Sequence, residues 1–158
     1  MIYTSFYNST IGKIILTSDG ENLTGLYFEG QKNFPNLINA TNNNNLQIFT
    51  DTKILLDRYF QGKEILIENI KLKPNGTDFQ LRIWKELLKI PYGTTISYSE
   101  IAKNIGINSS RAIGNAVSKN PISIIIPCHR VIGKNGNLTG YAGGLDRKIQ
   151  LLKIEKCL

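Results

Sequence analysis

One short segment gathers most of the reactive side chains of this sequence. In Ile124-Ile125-Ile126-Pro127-Cys128-His129-Arg130 an apolar run delivers a thiol, the only histidine and a permanent cation to a single point. The thiolate is the nucleophilic form of cysteine, and a neighbouring imidazole or guanidinium is expected to lower its pKa. Histidine changes charge near neutral pH, so His129 can take the proton from that thiol. Adjacent side chains diverge in helix and strand alike, so it is expected to do so through a bridging water. The base in turn needs a partner that fixes its tautomer and stabilises the imidazolium. The acids beyond Pro74 are Asp78, Glu86, Glu100, Asp146 and Glu155. Glu100 has capping-box spacing from Ser97 and is expected to be engaged there. Glu155, ending the last helix, is the preferred orienter; an ordinary surface acid is the alternative.

Cysteine is also a common core residue, so a structural Cys128 is the plain competing reading. Pro127 argues against it, because proline withdraws its neighbour from regular strand pairing. Metal binding fails on ligand count. Structural zinc takes four Cys, His or acid ligands, and the chain has Cys128, Cys157, His129 and no Cys-x-x-Cys. No cofactor is called for. A reactive cysteine remains, either a hydrolytic nucleophile or a group acceptor.

The elements that must position this segment divide the chain near Pro74. Ile11 to Thr17 and Leu23 to Phe28 read as strands, separated by Ser18-Asp19-Gly20-Glu21-Asn22 with an Asp-Gly hairpin signal. Asn39 to Asn45 reads as an exposed polar loop. Leu46 to Phe60 has helical spacing, with Leu55, Leu56, Tyr59 and Phe60 on one side and Gly62 as a stop. Ile65 to Leu72 is expected to form another strand, and Lys73-Pro74-Asn75-Gly76 a linker. The fold expected of the first half is a small antiparallel sheet plus a helix.

The second half reads as mainly helical. Thr77 and Gln80 have capping-box spacing, followed by an apolar face of Phe79, Ile83, Trp84, Leu87 and Leu88. Ser97-Tyr98-Ser99-Glu100 opens a short helix that stops at Gly106. After Ile107-Asn108-Ser109, Ser110 to Lys119 forms another, so the pair makes a helix-turn-helix. The second of these helices carries Arg111, Ala112, Gly114, Asn115 and Ala116; such small residues permit close approach to a groove or to a packed neighbour. A glycine-rich loop and a helix with Leu145, Ile149 and Leu152 on one face close the chain.

Charge follows the same division. Met1 to Pro74 holds seven Lys/Arg and seven Asp/Glu, and Asn75 to Leu158 holds twelve and five, so the whole formal +7 lies in the second half. A one-sided basic excess fits a polyanionic partner, nucleic acid before an anionic membrane surface, with a solubilising surface as the competing reading. No apolar run approaches the roughly 18 residues of a membrane span. No secretory signal opens the sequence, so free thiols in a reducing, cytoplasmic compartment are expected.

Beyond Pro74 the sequence resembles the O6-alkylguanine-DNA alkyltransferases, the methylated-DNA–protein-cysteine methyltransferases. The resemblance rests on Gly76-Thr77-Asp78-Phe79-Gln80, Ile90-Pro91-Tyr92-Gly93, Ile96-Ser97-Tyr98, Arg111-Ala112-Ile113-Gly114 and Asn120-Pro121. It continues through Ile126-Pro127-Cys128-His129-Arg130-Val131-Ile132, Gly140-Tyr141-Ala142-Gly143-Gly144 and Lys148 to Glu155. It implies a ribonuclease-H-like domain over 1–73, and a DNA-binding and alkyl-transfer domain over 74–158. It further implies a monomeric single-turnover protein that binds double-stranded DNA through the minor groove and flips out O6-alkylguanine, with O4-alkylthymine an open second substrate.

By the same resemblance Cys128 takes the alkyl group irreversibly, His129 deprotonates it through water and Glu155 orients the imidazole. Tyr98 helps rotate the nucleotide and protonates the leaving guanine. Arg111 fills the gap in the stack, and Ala112, Gly114, Asn115 and Ser99 join the DNA surface. Asn120 braces the turn before the cysteine. Pro127, Arg130, the carbonyls of Cys128 and Val131, and Tyr141-Ala142 shape the base pocket. Some relatives have serine where Ala142 stands, and some carry an N-terminal zinc site whose Cys and His ligands are missing here. Two other readings compete: a lesion-flagging protein without transfer, against which the presence of Cys128 argues, and a cysteine hydrolase using Cys128 and His129.

Overall fold

The computed structural model describes all 158 residues. Strands β1 (Tyr3–Ser9), β2 (Gly12–Ser18) and β3 (Leu23–Phe28) form an antiparallel meander, and a two-residue β4 (Thr41–Asn42) pairs parallel to β1, giving the order β3-β2-β1-β4. Both β2 and β3 were legible from their β-rich runs. The expected polar loop at Asn39 to Asn45 supplies β4, because Thr41 and Asn43 donate backbone N–H groups to the carbonyls of Ile2 and Thr4. Helix α1 (Gln47–Phe60) lies against this sheet, burying Phe49, Leu55, Leu56 and Tyr59.

Ile65 to Leu72 does not form the expected strand. Only Leu72 makes a bridge, to Leu23, and Lys71 and Lys73 exchange backbone hydrogen bonds with Leu23 at 2.8 and 2.9 Å. The bridge is parallel and falls on the first residue of β3, so residues 65–71 extend past the start of that strand and have no edge to join. The free edge of β3 is shared between two segments, because Leu26 pairs with residues 121–123 through Pro121 and Ser123. An unpaired edge strand would leave N–H and C=O groups without partners, and here both halves of the chain supply them.

The second half holds α2 (Asp78–Leu87), α3 (Tyr98–Ile105), α4 (Ser110–Ser118) and α5 (Leu145–Ile154). The box at Thr77 and Gln80 is complete in both directions. That at Ser97 is half made: Ser97 Oγ accepts from the Glu100 N–H, but the Glu100 carboxylate takes the Ser97 hydroxyl instead of its backbone. Gly106 ends α3 in the left-handed conformation (φ 71°) that glycine adopts at least cost. The Trp84 indole donates to the Ala116 carbonyl at 2.9 Å, fixing α2 against α4.

A parallel pair, β5 (Ile96–Ser97) with β6 (Val131–Ile132), sets the site. It fastens the start of α3, and so Tyr98, beside the turn Cys128–Arg130. The last helix differs from expectation. Its buried face is Lys148, Leu151, Leu152 and Glu155, while Leu145 is exposed and Ile149 only half-buried. One apolar cluster of 27 buried residues runs through both halves, from Leu16, Leu26 and Phe49 to Ile83, Val131 and Leu151.

Candidate active site

The isoleucine run before the cysteine is not a strand. Ile124 has φ 70°, a left-handed conformation costly for a β-branched residue, and the surrounding turn is held by Asn120. Its carboxamide donates to the carbonyl of Ile126 at 2.8 Å and accepts from the N–H of Ile122 at 3.0 Å. Asn120 is buried, so these bonds satisfy groups that water cannot reach. Cys128 then enters a short 3₁₀ turn with only 5% of its surface exposed.

His129 is fully buried and its Nε2 lies 2.5 Å from Glu155 Oε2. The other carboxylate oxygen accepts from Arg130 Nε at 2.6 Å, and Tyr59 of α1 donates its hydroxyl to Oε2 at 2.5 Å. Burial alone would raise the Glu155 pKa. The hydrogen bonds and charges of His129 and Arg130 outweigh it and hold the carboxyl down at about 2. A carboxylate accepts and cannot donate, so Nε2 carries the hydrogen and Nδ1 bears the free lone pair. Burial lowers the His129 pKa despite Glu155, which keeps the ring neutral. Nδ1 is buried and has no protein partner. The imidazole is therefore a neutral base whose one accepting nitrogen is unengaged.

The thiol departs from expectation. Burial raises the Cys128 pKa, and Asn120, Lys148 and Tyr141 only partly oppose this. Arg130, expected to favour the thiolate, spends its guanidinium on Glu155 and on the carbonyl of Ile90 at 2.8 Å. Cys128 thus rests as a thiol and needs a base to become a nucleophile.

Lys148 is a component that the sequence pattern hid. It is fully buried and donates its ammonium to the carbonyls of Val131 at 2.6 Å and Thr139 at 2.8 Å. Burial lowers its pKa to about 8, and nearby Cys128 opposes the fall. The Val131 carbonyl expected to face the base pocket thus already accepts one hydrogen bond, and that of Cys128 accepts the Val131 N–H. Spacing of Lys148, Leu151, Leu152 and Glu155 at i, i+3, i+4 and i+7 was the signal available for this face. Tyr59 was likewise read only as packing.

A groove of about 530 Å³ is lined by Tyr98, Arg111, Gly114, Tyr141 and Ala142 together with Ser110, Ser118, Thr139, Gly140, Lys32 and Asn33; Cys128 and His129 do not line it, but Tyr98 and Tyr141 lie near the thiol. Tyr98, with its pKa raised by burial, stays a neutral phenol. The Tyr141 hydroxyl is buried without a hydrogen bond. Gly143 is required here, since a Cβ would lie 2.8 Å from the Tyr141 ring and 2.9 Å from Phe28. Three expected surface residues do not line the groove: Ser99 faces solvent beside the Ser97 hydroxyl, Ala112 is half-buried, and Asn115 is exposed one turn beyond Arg111 on the same side of α4. Pro127 and Arg130, expected to shape the pocket, do not line this groove and border a separate cavity with Ile90, Tyr92 and Ile124.

A buried His129–Glu155 pair following a buried cysteine, in a fold with paired short helices and a groove lined by cations and no acid, defines an arrangement suited to cysteine chemistry on an anionic partner. Comparison with known proteins identifies the family. Residues 78–157 match the DNA binding domain of 6-O-methylguanine DNA methyltransferase, and residues 2–74 match its ribonuclease-like domain. The methylated-DNA–protein-cysteine methyltransferase of Methanosarcina acetivorans is 47% identical, over 98% of both chains. That of Haemophilus influenzae is 43% identical, over 98% of this chain and 87% of the relative. The crystal structure of Mycobacterium tuberculosis OGT in complex with DNA superposes with a TM-score of 0.88 at 44% identity, covering 98% of this chain and 92% of that one. The chain belongs to the 6-O-methylguanine DNA methyltransferase family.

Proposed function

We propose that this protein repairs DNA by moving the alkyl group of O6-alkylguanine irreversibly onto Cys128. The observation that carries the reading is the neutral, Glu155-oriented His129 with an unengaged Nδ1, in the residue after a buried thiol whose pKa burial raises. Chemistry on a base requires the nucleotide to leave the stack. Arg111, at the first turn of α4, fills the vacated space from the minor groove, where readout is nearly blind to sequence. Residues 1–73 form the supporting domain and 74–158 the domain that binds DNA and transfers the alkyl group; the protein acts as a monomer inside the cell.

The Cys128 proton passes through a water to His129 Nδ1, and Glu155 stabilises the resulting imidazolium. The thiolate attacks the alkyl carbon, an S–C bond forms and the C–O6 bond breaks. The departing guanine takes a proton from Tyr98, which burial keeps in its donating form. A thioether is stable to water, so no step regenerates the thiol and each molecule acts once.

The test is incubation with a duplex containing O6-methylguanine, followed by intact mass and peptide mapping. One methyl group on Cys128 per molecule is expected. Lesion removal by Cys128→Ala, or repeated turnover, refutes the reading.

A further inference from the structure

We infer that Lys32, in the otherwise neutral first half, is a DNA contact that works with Arg111 across the groove; this rests on the function proposed above. Lys32 follows a rigid turn. Gln31 is buried, accepting from the Phe28 N–H at 2.8 Å through its side chain and donating that side chain to the Lys32 carbonyl. The Lys32 N–H then donates to the carbonyl of Ala142, in the loop that walls the base pocket, at 3.1 Å. Asn33 approaches the Ser118 carbonyl at the far end of α4 with its side chain, at 3.5 Å. The segment is thus tied to two walls of the groove, by the Lys32 backbone and the Asn33 side chain, and the Lys32 side chain is left exposed at its edge.

Charge identifies the occupant. No Asp or Glu lines the groove, and its two cations, Lys32 and Arg111, form none of the ion pairs of the molecule. A wall carrying unpaired cations and no acid suits phosphate. Arg111 and Ser118 are seven residues apart, which is about 10 Å along a helix rising 1.5 Å per residue. Arg111 enters at the flipped nucleotide, so Lys32 meets the phosphate backbone flanking it.

The experiment measures affinity for an O6-methylguanine duplex, by fluorescence anisotropy, between 50 and 200 mM salt. Variants are Lys32→Gln, Lys32→Arg and, as an equal charge change on a lysine already paired with Glu86, Lys89→Gln. One lost phosphate contact lowers the slope of log K against log salt by about 0.9. The wild-type advantage over Lys32→Gln should therefore shrink about 3.5-fold across this range, with Lys32→Arg keeping the wild-type slope. An unchanged slope for Lys32→Gln overturns the inference, and so does an equal loss in Lys89→Gln or Lys32→Arg. The thermal midpoint of Lys32→Gln should match wild type, since the structural bond uses the backbone. Wild-type protein that binds the duplex but leaves Cys128 unalkylated refutes the proposed repair function alone; the slopes still decide Lys32.

Discussion

Replacing Glu155 by Gln tests the buried network at its centre. The substitution keeps shape and one acceptor oxygen, yet removes the charge shared by His129, Arg130 and Tyr59. The carboxyl falls from its usual 4.5 to about 2 on folding. At about 1.36 kcal/mol per pH unit this is worth about 3 kcal/mol. A depressed carboxylate stabilises the fold fully above its unfolded pKa and loses that contribution as pH falls through its folded one. The wild type should therefore shed about 3 kcal/mol between pH 4.5 and 2 that the variant does not. At pH 7 the variant should be less stable by about 3–5 kcal/mol, the cost of stranding the Arg130 charge. Urea unfolding of both proteins across that pH range measures the difference directly. Activity gives a second readout. Glu155 raises the His129 pKa against burial, so without it the acid limb of the transfer rate should move to lower pH. The plateau should fall about 10²–10⁴-fold as imidazolium stabilisation is lost. Parallel acid-unfolding curves, or an acid limb that stays in place, would refute the reasoning.

Asn120→Ala should cost about 1–3 kcal/mol, because it strips partners from the buried Ile122 N–H and Ile126 carbonyl; chemical denaturation measures it. Lys148→Met should raise the Cys128 pKa by deleting a nearby cation and leave the Val131 and Thr139 carbonyls short of a donor. Thiol alkylation by iodoacetamide against pH checks the direction. Arg147→Ala should slow transfer more than it weakens DNA binding. That guanidinium donates to the carbonyls of Ile11 at 3.0 Å and Gly143 at 3.1 Å, tying the β1–β2 turn to the pocket loop. Single-turnover rates at saturating DNA read this out. Gly76→Ala should lower the thermal midpoint, since its Cβ would stand 2.5 Å from the Trp84 ring.

Local signals were legible wherever chemistry and backbone geometry act at short range. The Asp-Gly hairpin, the Thr77 box and the Gly106 stop declare themselves in a few residues. The His129–Glu155 pair was legible because the chain holds one histidine and few acids. What stayed hidden depends on distance in sequence. Tyr59 reads as one more apolar face residue until the fold brings it across 96 positions to Glu155. Lys148 reads as a surface lysine, because only the folded loop supplies the carbonyls that hold its ammonium. Ile65 to Leu72 has strand-like residues, but Leu72 meets β3 at its first residue in a parallel sense, so the preceding residues run past the end of the strand. The thiol pKa was misjudged because burial, not adjacency, dominates it.

The shared edge of β3 also governs how this molecule comes apart. Segments 71–73 and 121–123 cover one strand side by side, and a single apolar cluster passes beneath both. Cutting the chain at its linker would bare that strand and divide the cluster, so neither fragment would inherit a finished interior. Melting should therefore be one cooperative event, with calorimetric and van't Hoff enthalpies in agreement. Helix α4, the turn Cys128–Arg130 and the distant sheet then share one fate: whatever loosens any of them is felt as a lower stability of the whole.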